Sequence, residues 1–485
     1  MTIQYIWRIA LVTHLIINVP TAFAQNLKAD DLEDIEKISQ DSPYKDKTKN
    51  ESKIISLKDV LEEGLRMNSQ EQTRKFSKEI LEIEWSDNYK NFWYPQLNFT
   101  ISQEETLVDN LYGDVNDNNG TSKTPNGYAG LEVDNYTVFN WGKDYLEYKN
   151  TKETYKRQKQ ILKEKRRSLR FEIISNYFAL IKTKKISRAM RNQLRQSSFI
   201  YRLAKEKYSL KKIKIQHYFQ AKSEYLRAHK EYQNALYFVA QMERNLAKTI
   251  GDDLETSYTP REELKFKTLT NLPGTSYKFA MDRSPKFLNA KASLNNANRS
   301  FQKALKDNMP LPKFDIKFGA LRHNFSSAGA KDTYETEAGN KNVELVASIN
   351  MKWKIFGSGG LFNSNLDRKA YLKKRISEIE YREAKRDVKV QINSIHRQIR
   401  FLEKRYEASA ALVKAIRKTF DKTLDNYIGG KTSFPDMKLT LELMTNASVD
   451  YEKSKYDHLV SKLQLASLMG VDDFPGERFE GLVLK

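Results

Sequence analysis

The chain has 485 residues, no cysteine, and a formal charge of +21 from 83 Lys and Arg against 62 Asp and Glu. The lack of cysteine excludes disulfides, thiolate metal sites and cysteine nucleophiles. Beyond the first 24 residues no run of about 18 apolar residues occurs, so a transmembrane helix is excluded and a closed β-barrel is the one remaining way across a bilayer.

A mean hydropathy of −0.70 is compatible with such a barrel, because barrel strands alternate and average low. The positive surplus suits nucleic acid or anionic lipid. Lys and Arg are however interleaved with Glu and Asp along helical sequence, the pattern of solvated helix faces, and no nucleic-acid partner is expected.

Residues 1–24 read as an export signal peptide. Arg8 gives the positive region, Ile9 to Val19 an imperfect apolar core, and Ala22-Phe23-Ala24 a small-residue cleavage site before Gln25. No cysteine follows that site, which excludes a lipid anchor there. Residues 25–54 are polar and charged and read as a flexible N-terminal extension.

The pattern of residues 55–251 is helix, strand, strand, helix. Ser56 and Asp59 form a capping-box-like start, and one helix is predicted from Ser56 to Trp93, ending before Pro95. Leu97, Phe99 and Ile101 alternate with polar residues as a strand. Residues 109–128, rich in Asn, Asp and Gly, read as a loop. Leu131 to Phe139 is a second strand whose alternation slips near Asn135, the mark of a bulge; Trp141-Gly142 ends it. From Gly142 to Ile250 neither proline nor glycine interrupts a long helical pattern. Residues 252–278 read as an irregular connector.

The order repeats over 279–470. Helical sequence runs from about Phe279 to Pro310 and Pro312, a strand follows at Phe314–Phe318, and 322–342 is a polar loop. Val343 to Ile355 alternates over a length sufficient for a tilted membrane strand, about 9–11 residues. Gly357, Gly359 and Gly360 then lead into helix as far as Leu468. Residues 471–485 form a C-terminal tail. Pro95 and Pro312, Gly142 and Gly360, Tyr208 and Tyr427, and Gly251 and Gly470 are offset by 217, 218, 219 and 219 residues. A constant offset across landmarks of different kinds indicates an internal tandem duplication.

Val388, Ile392, Ile395, Ile399, Leu402, Tyr406, Val413, Ile416, Phe420, Leu424 and Tyr427 form a heptad seam, with Ser409 out of type, so the long arms are expected to pack as coiled coil. Tyr427-Ile428-Gly429-Gly430 followed by Pro435 folds the second arm back as a hairpin. The first copy has Tyr208-Ser209-Leu210-Lys211-Lys212 there. Nothing local breaks a helix at that point; only the repeat predicts a turn. Four strands per chain cannot close a barrel, since even a filled one takes about eight, so the chain is expected to oligomerise.

The sequence resembles the TolC-like outer-membrane efflux proteins over residues from about 55 to 470. The carriers are Trp93-Tyr94-Pro95-Gln96-Leu97, similar to the family's LPxL entry to the first strand, and Ile355-Phe356-Gly357-Ser358-Gly359-Gly360, similar to its strand exit. Tyr427-Ile428-Gly429-Gly430 with Asp436 resembles its helix tip. Leu246 to Gly251 and Leu465 to Gly470 resemble its helix ends. The resemblance implies a mixed α/β membrane protein: a trimeric, twelve-stranded outer-membrane β-barrel, four strands per chain, continued by a periplasmic α-helical coiled-coil barrel. It implies docking to a periplasmic adaptor and an inner-membrane transporter, in a tripartite efflux pump or type I secretion system, with no cofactor and no chemistry.

The resemblance also places Tyr208, Lys211, Lys212, Lys214, His217, Tyr427, Gly429, Gly430 and Asp436 at the periplasmic entrance, and Pro95, Trp141, Gly142, Pro312, Gly357, Gly359 and Gly360 at the strand–helix transitions. Asp436 is either a pore-lining carboxylate or a favourable charge in a helix first turn. Lys211, Lys212 and Lys214 are either solvated charge or a ring that selects anions or binds the adaptor. His217 in place of Asp and Lys211 in place of Gly predict an entrance less cation-selective than in relatives. His217, His229, His396 and His458 stand singly, with no metal-ligand spacing. The competing reading is a periplasmic coiled-coil adaptor or scaffold with its strands in a soluble β domain.

Overall fold

The computed structural model describes residues 52–103, 127–309, 311–325, 344–352 and 364–484. In chain order the elements are β1 (Lys53–Ile55), α1 (Leu57–Met67), α2 (Ser69–Trp93), β2 (Leu97–Gln103), β3 (Gly127–Phe139), α3 (Lys143–Ser209) and α4 (Ile215–Ile250). After them come β4 (Tyr258–Pro260), β5 (Glu263–Leu264), α5 (Pro273–Arg283), α6 (Pro285–Asp307), β6 (Lys313–Phe325), β7 (Glu344–Lys352), α7 (Ser364–Ile428), α8 (Phe434–Met469) and β8 (Val483–Leu484). The signal segment, most of the N-terminal extension, and Gly357, Gly359 and Gly360 lie outside the described residues.

β2, β3, β6 and β7 form one antiparallel sheet in that order. β3 and β6 join the two halves of the chain; β2 and β7 are the edges. Register puts Leu97, Phe99, Leu131, Phe318, Ile349 and Met351 on one face, and all are exposed. The opposite face is polar and internally paired. Glu132 accepts from Thr100 Oγ1 at 2.8 Å and meets Lys317 Nζ at 3.2 Å; Asp315 accepts from Thr137 Oγ1 at 2.9 Å and meets Lys313 Nζ at 2.9 Å. The predicted slip in β3 is real: register shifts between Val133 and Tyr136 and again between Thr137 and Phe139. β6 runs on to Phe325, into the stretch expected to be loop.

Four expectations need correction. The single helix 56–93 is two helices, because Asn68 adopts an extended backbone, accepts from Gln70 N–H, and sends its Nδ2 to Thr249 O at 2.7 Å. Residues 53 and 54, placed at the end of the flexible extension, form a strand with Ile55 that pairs in parallel with β4. The connector 252–278 holds β4, β5 and the first turns of α5, whose Pro273 occupies the helix start where a missing N–H is harmless. The C-terminal tail is structured as well: Phe479 is fully buried and β8 pairs with β5.

These short elements wrap a core at the middle of the long helices. Ile173, Ile174, Tyr177, Phe178 and Leu180 of α3 meet Val60 and Leu61 of α1 and Leu246 and Ile250 of α4; Val388, Ile392 and Ile399 of α7 and Leu463, Leu465 and Met469 of α8 continue the cluster. Each such side chain contributes about 1.5–3 kcal/mol on burial. Two glycines seat the helix ends on it. Gly470 has φ +70°, and a Cβ there would lie 2.1 Å from Arg283 O; Gly251 has φ +89°, and a Cβ would crowd Met67 O at 3.2 Å. The predicted seam of α7 faces inward, with Val388, Ile392, Ile399, Leu402, Phe420 and Tyr427 buried and Ser409 buried among them.

Corresponding helices in the two halves match in length: α1 and α5 have 11 residues each, α2 and α6 have 25 and 23, α3 and α7 have 67 and 65, and α4 and α8 have 36 each. At about 1.5 Å per residue, α3 and α7 are roughly 100 Å long.

His458 of α8 is buried against Phe266, with ring centroids 4.7 Å apart, and its Nε2 lies 3.4 Å from Glu403 Oε1. Burial first, and the Lys462 charge second, pull its pKa down from 6.5 to about 3. The unfolded chain therefore takes up a proton below pH 6.5 that the folded chain refuses until about pH 3. The associated stability is complete above pH 6.5 and declines as pH falls toward 3, by about 1.4 kcal/mol per unit once well below 6.5. In His458→Gln this acid limb should flatten when urea midpoints are compared between pH 7 and 4.

Candidate functional site

Each long arm turns back on one residue in left-handed backbone, Lys211 at φ 56° and Gly430 at φ 74°. The closing hydrogen bonds correspond. Lys212 N–H donates to Lys207 O at 2.8 Å and Lys431 N–H to Asn426 O at 2.8 Å; Lys211 N–H donates to Tyr208 O and Gly430 N–H to Tyr427 O. The turn that local propensity opposed is therefore formed, with a lysine in the glycine's conformation. A Cβ in that region costs about 1–2 kcal/mol. Lys211→Gly is expected to stabilise the turn by roughly 0.5–1 kcal/mol after the entropy of the unfolded glycine is counted, seen as slower amide exchange at 208–214. Faster exchange there would contradict it.

The two turns lie side by side. Ile200, Ala204 and Ala221 of the first hairpin close a small core with Phe420, Tyr427, Phe434, Met437 and Leu441 of the second. Lys207 Nζ bridges them, donating to Tyr427 O at 3.0 Å and Ile428 O at 3.2 Å, with the Tyr427 ring 5.1 Å away. The cation thus sits on carbonyls at a helix C-terminus, sharing Tyr427 O with Gly430 N–H. Burial raises the Tyr427 pKa, so that phenol stays neutral.

Between two and three turns into α4, buried Glu224 takes Arg227 at 2.7 Å and Lys438 Nζ at 3.5 Å; Glu442 of α8 also pairs with Arg227 and lies 3.9 Å from Lys438. Tyr208 stacks on Tyr218 and Tyr201 on Tyr225, with centroids 5.4 and 5.5 Å apart.

Of the residues predicted at this end, Tyr208, Lys211, Lys212, Lys214, Gly429, Gly430 and Asp436 are exposed, His217 is half-buried, and Tyr427 is buried beneath Lys207. Ser433 caps α8, and Asp436 in the first turn supports the cap: Asp436 N–H donates to Ser433 Oγ at 3.4 Å, and its Oδ2 accepts from that hydroxyl at 2.5 Å. His217 Nδ1 lies 3.4 Å from Gln220 Oε1. Lys207, Glu224, Arg227, Lys438 and Glu442 were not singled out from sequence. Glu224–Arg227 and Lys438–Glu442 are ordinary i,i+3 and i,i+4 helix pairs, but the contacts that tie these residues together across the hairpin pair are 214–221 residues apart, and no local spacing marks those.

At the opposite end, Trp141 (φ 53°) and Gly142 (φ 75°) turn β3 into α3. Trp141 Nε1 donates to Pro312 O at 3.1 Å, and Lys306 Nζ donates to Trp141 O at 2.7 Å, so the two halves meet here as well. Beside Pro95 lies an aromatic cluster in which Trp85 stacks on Tyr155 and Phe92 on Tyr148, at 4.8 and 4.6 Å.

No protein-family model and no curated protein matches the sequence. Solved structures do. The CmeC outer membrane channel of Campylobacter jejuni superposes with a TM-score of 0.70 at 16% identity, over 85% of this chain and 85% of that one. The outer membrane protein VceC of Vibrio cholerae gives 0.70 at 14%, over 86% and 96%. The open state of the MtrE outer membrane channel of Neisseria gonorrhoeae gives 0.63 at 15%, over 86% and 89%. The chain has the fold of the TolC-type outer-membrane channels. In this channel fold the four-stranded sheet and the paired helix tips are the two ends of one elongated molecule, separated by the roughly 100 Å of α3 and α7.

Proposed function

We propose that three copies of this chain, exported by the 1–24 signal, form an outer-membrane exit duct. The sheets join as a twelve-stranded barrel and the helices hang below it as a periplasmic tunnel. The observation that carries this reading is the sheet itself. One face exposes Leu97, Phe99, Phe318, Ile349 and Met351, the other holds paired charges, and among the described residues β2 and β7 have no second neighbour. A lone sheet of that kind is unstable in water and in lipid; closed with other copies it has a lipid face, a polar lumen and no edge. No helix among the described residues is long and apolar enough to cross a membrane.

The aromatic cluster of Trp85, Phe92, Tyr148 and Tyr155 suits the membrane–water boundary. Matching helix lengths and turn hydrogen bonds support a tandem duplication as the origin of the two halves. Substrates pass without chemistry, delivered by an inner-membrane transporter through a periplasmic adaptor. The rival reading, a soluble adaptor, leaves the exposed apolar face unexplained.

The paired tips are the entrance, and Lys207 holds them together. In planar bilayers the wild-type assembly is expected to show low conductance and weak cation preference. Lys207→Ala, which removes the bridge from the first hairpin to the Tyr427 and Ile428 carbonyls, should raise the open fraction several-fold. Unchanged conductance would remove Lys207 from gating, and a strong cation preference in the reversal potential would refute the lowered cation selectivity expected from Lys211 and His217.

A further inference from the structure

Away from both ends, a cavity of about 380 Å³ opens between α3, α4 and the β4–β5 segment. Its cationic lining is Lys184, Lys185, Arg188, Arg191 and Arg261, against Glu262 and Glu263. Both carboxylates are already engaged. Glu262 Oε2 accepts from Leu57 N–H at 2.9 Å and from the Tyr177 hydroxyl at 3.3 Å, and Glu263 pairs with Lys185. Lys184 pairs with Glu243 at 2.7 Å. The exposed guanidiniums of Arg188 and Arg261 give the mouth its sign, over a floor made partly of Ile181, Leu236 and Val239. An arginine cluster over an apolar floor suits a peptide that carries several carboxylates among apolar side chains.

Such a peptide occurs in this chain. Asp30-Asp31-Leu32-Glu33-Asp34-Ile35-Glu36 has five carboxylates, two apolar residues and no base. Its tether ends beside the cavity: β1 pairs in register with β4, Ile54 opposite Thr259, and Thr259 lines the cavity. Ser52 Oγ accepts from Thr259 Oγ1 at 3.0 Å, so the chain enters the fold at the rim. The intervening residues 37–52 span up to roughly 50 Å at about 3.3 Å each, ample for a return to the mouth. We propose that the acidic segment 30–36 docks in this cavity of its own chain, its carboxylates on Arg188 and Arg261 and its Leu32 and Ile35 on the apolar floor.

The absence of cysteine makes the test direct. In the full-length detergent-solubilised protein, Leu32→Cys is paired with Leu236→Cys and treated with a short bismaleimide. A link within one chain is expected, read by mass spectrometry of the digest. It should fall at least tenfold in 1 M NaCl and in the Arg188→Glu/Arg261→Glu background, because screening over about 3 Å removes such contacts. A control pair, Leu32→Cys with Phe401→Cys on α7, should not link. No link at Leu236, equal linking to both sites, a link insensitive to salt and charge reversal, or a link only between chains would each overturn the proposal.

Discussion

Ile349→Arg is expected to abolish the assembled form of this protein while leaving its helices folded. Ile349 is in the middle of β7 and 74% exposed, and it pairs across the ladder with Ile316. In a sheet facing water, exchanging an exposed isoleucine for arginine changes stability by about 0.5 kcal/mol or less. Facing hydrocarbon, the same charge costs about 2–4 kcal/mol near the bilayer midplane, and a symmetric trimer carries it three times. Asn350 is the control: it lies on the polar face, opposite Asp315, so Asn350→Arg should assemble. The readout is the fraction of detergent-extracted protein that migrates as a heat-modifiable oligomer. Equal assembly of the two variants would place the apolar face in water and return the soluble-adaptor reading.

Lys462→Ala should be strongly destabilising to the core at the middle of the long helices. Lys462 on α8 is 1% exposed; its ammonium donates to Glu477 and, at 3.1 Å, to Lys267 O. Burial pulls the Lys462 pKa down, and the Glu477 hydrogen bond and charge oppose that pull. Removing the lysine leaves the Glu477 carboxylate buried beside an empty space, a situation that costs about 3–5 kcal/mol. The double variant Lys462→Met/Glu477→Leu removes both charges and should recover most of that loss. Urea unfolding of the detergent-solubilised protein, followed by far-ultraviolet circular dichroism, separates the cases. A single variant as stable as wild type would show that water reaches the pair.

Elements with a strong period were legible in the sequence. The β2 and β3 alternation, the slip near Asn135 and the α7 seam all follow from local spacing, and each is present. The first-half turn was legible only through the repeat, because Lys211 carries a conformation that glycine ordinarily supplies. What stayed hidden depends on contacts between distant segments. Asn68 breaks a helix because Thr249 O lies within reach of its side chain. Lys53–Ile55 becomes a strand because β4 offers an edge. At the tips, the glycine and aspartate landmarks were visible, whereas Lys207 and the Glu224–Arg227–Lys438–Glu442 group were not: a lysine over foreign helix carbonyls has no signature in its own neighbours.

The central claim is that this sheet is one third of a closed barrel, and native mass spectrometry of the protein released from detergent micelles tests it most directly. The account predicts a complex of three chains that collapses to single chains on heating, with β-structure lost at the same temperature. A single chain that stays in solution without detergent and keeps its sheet would contradict it.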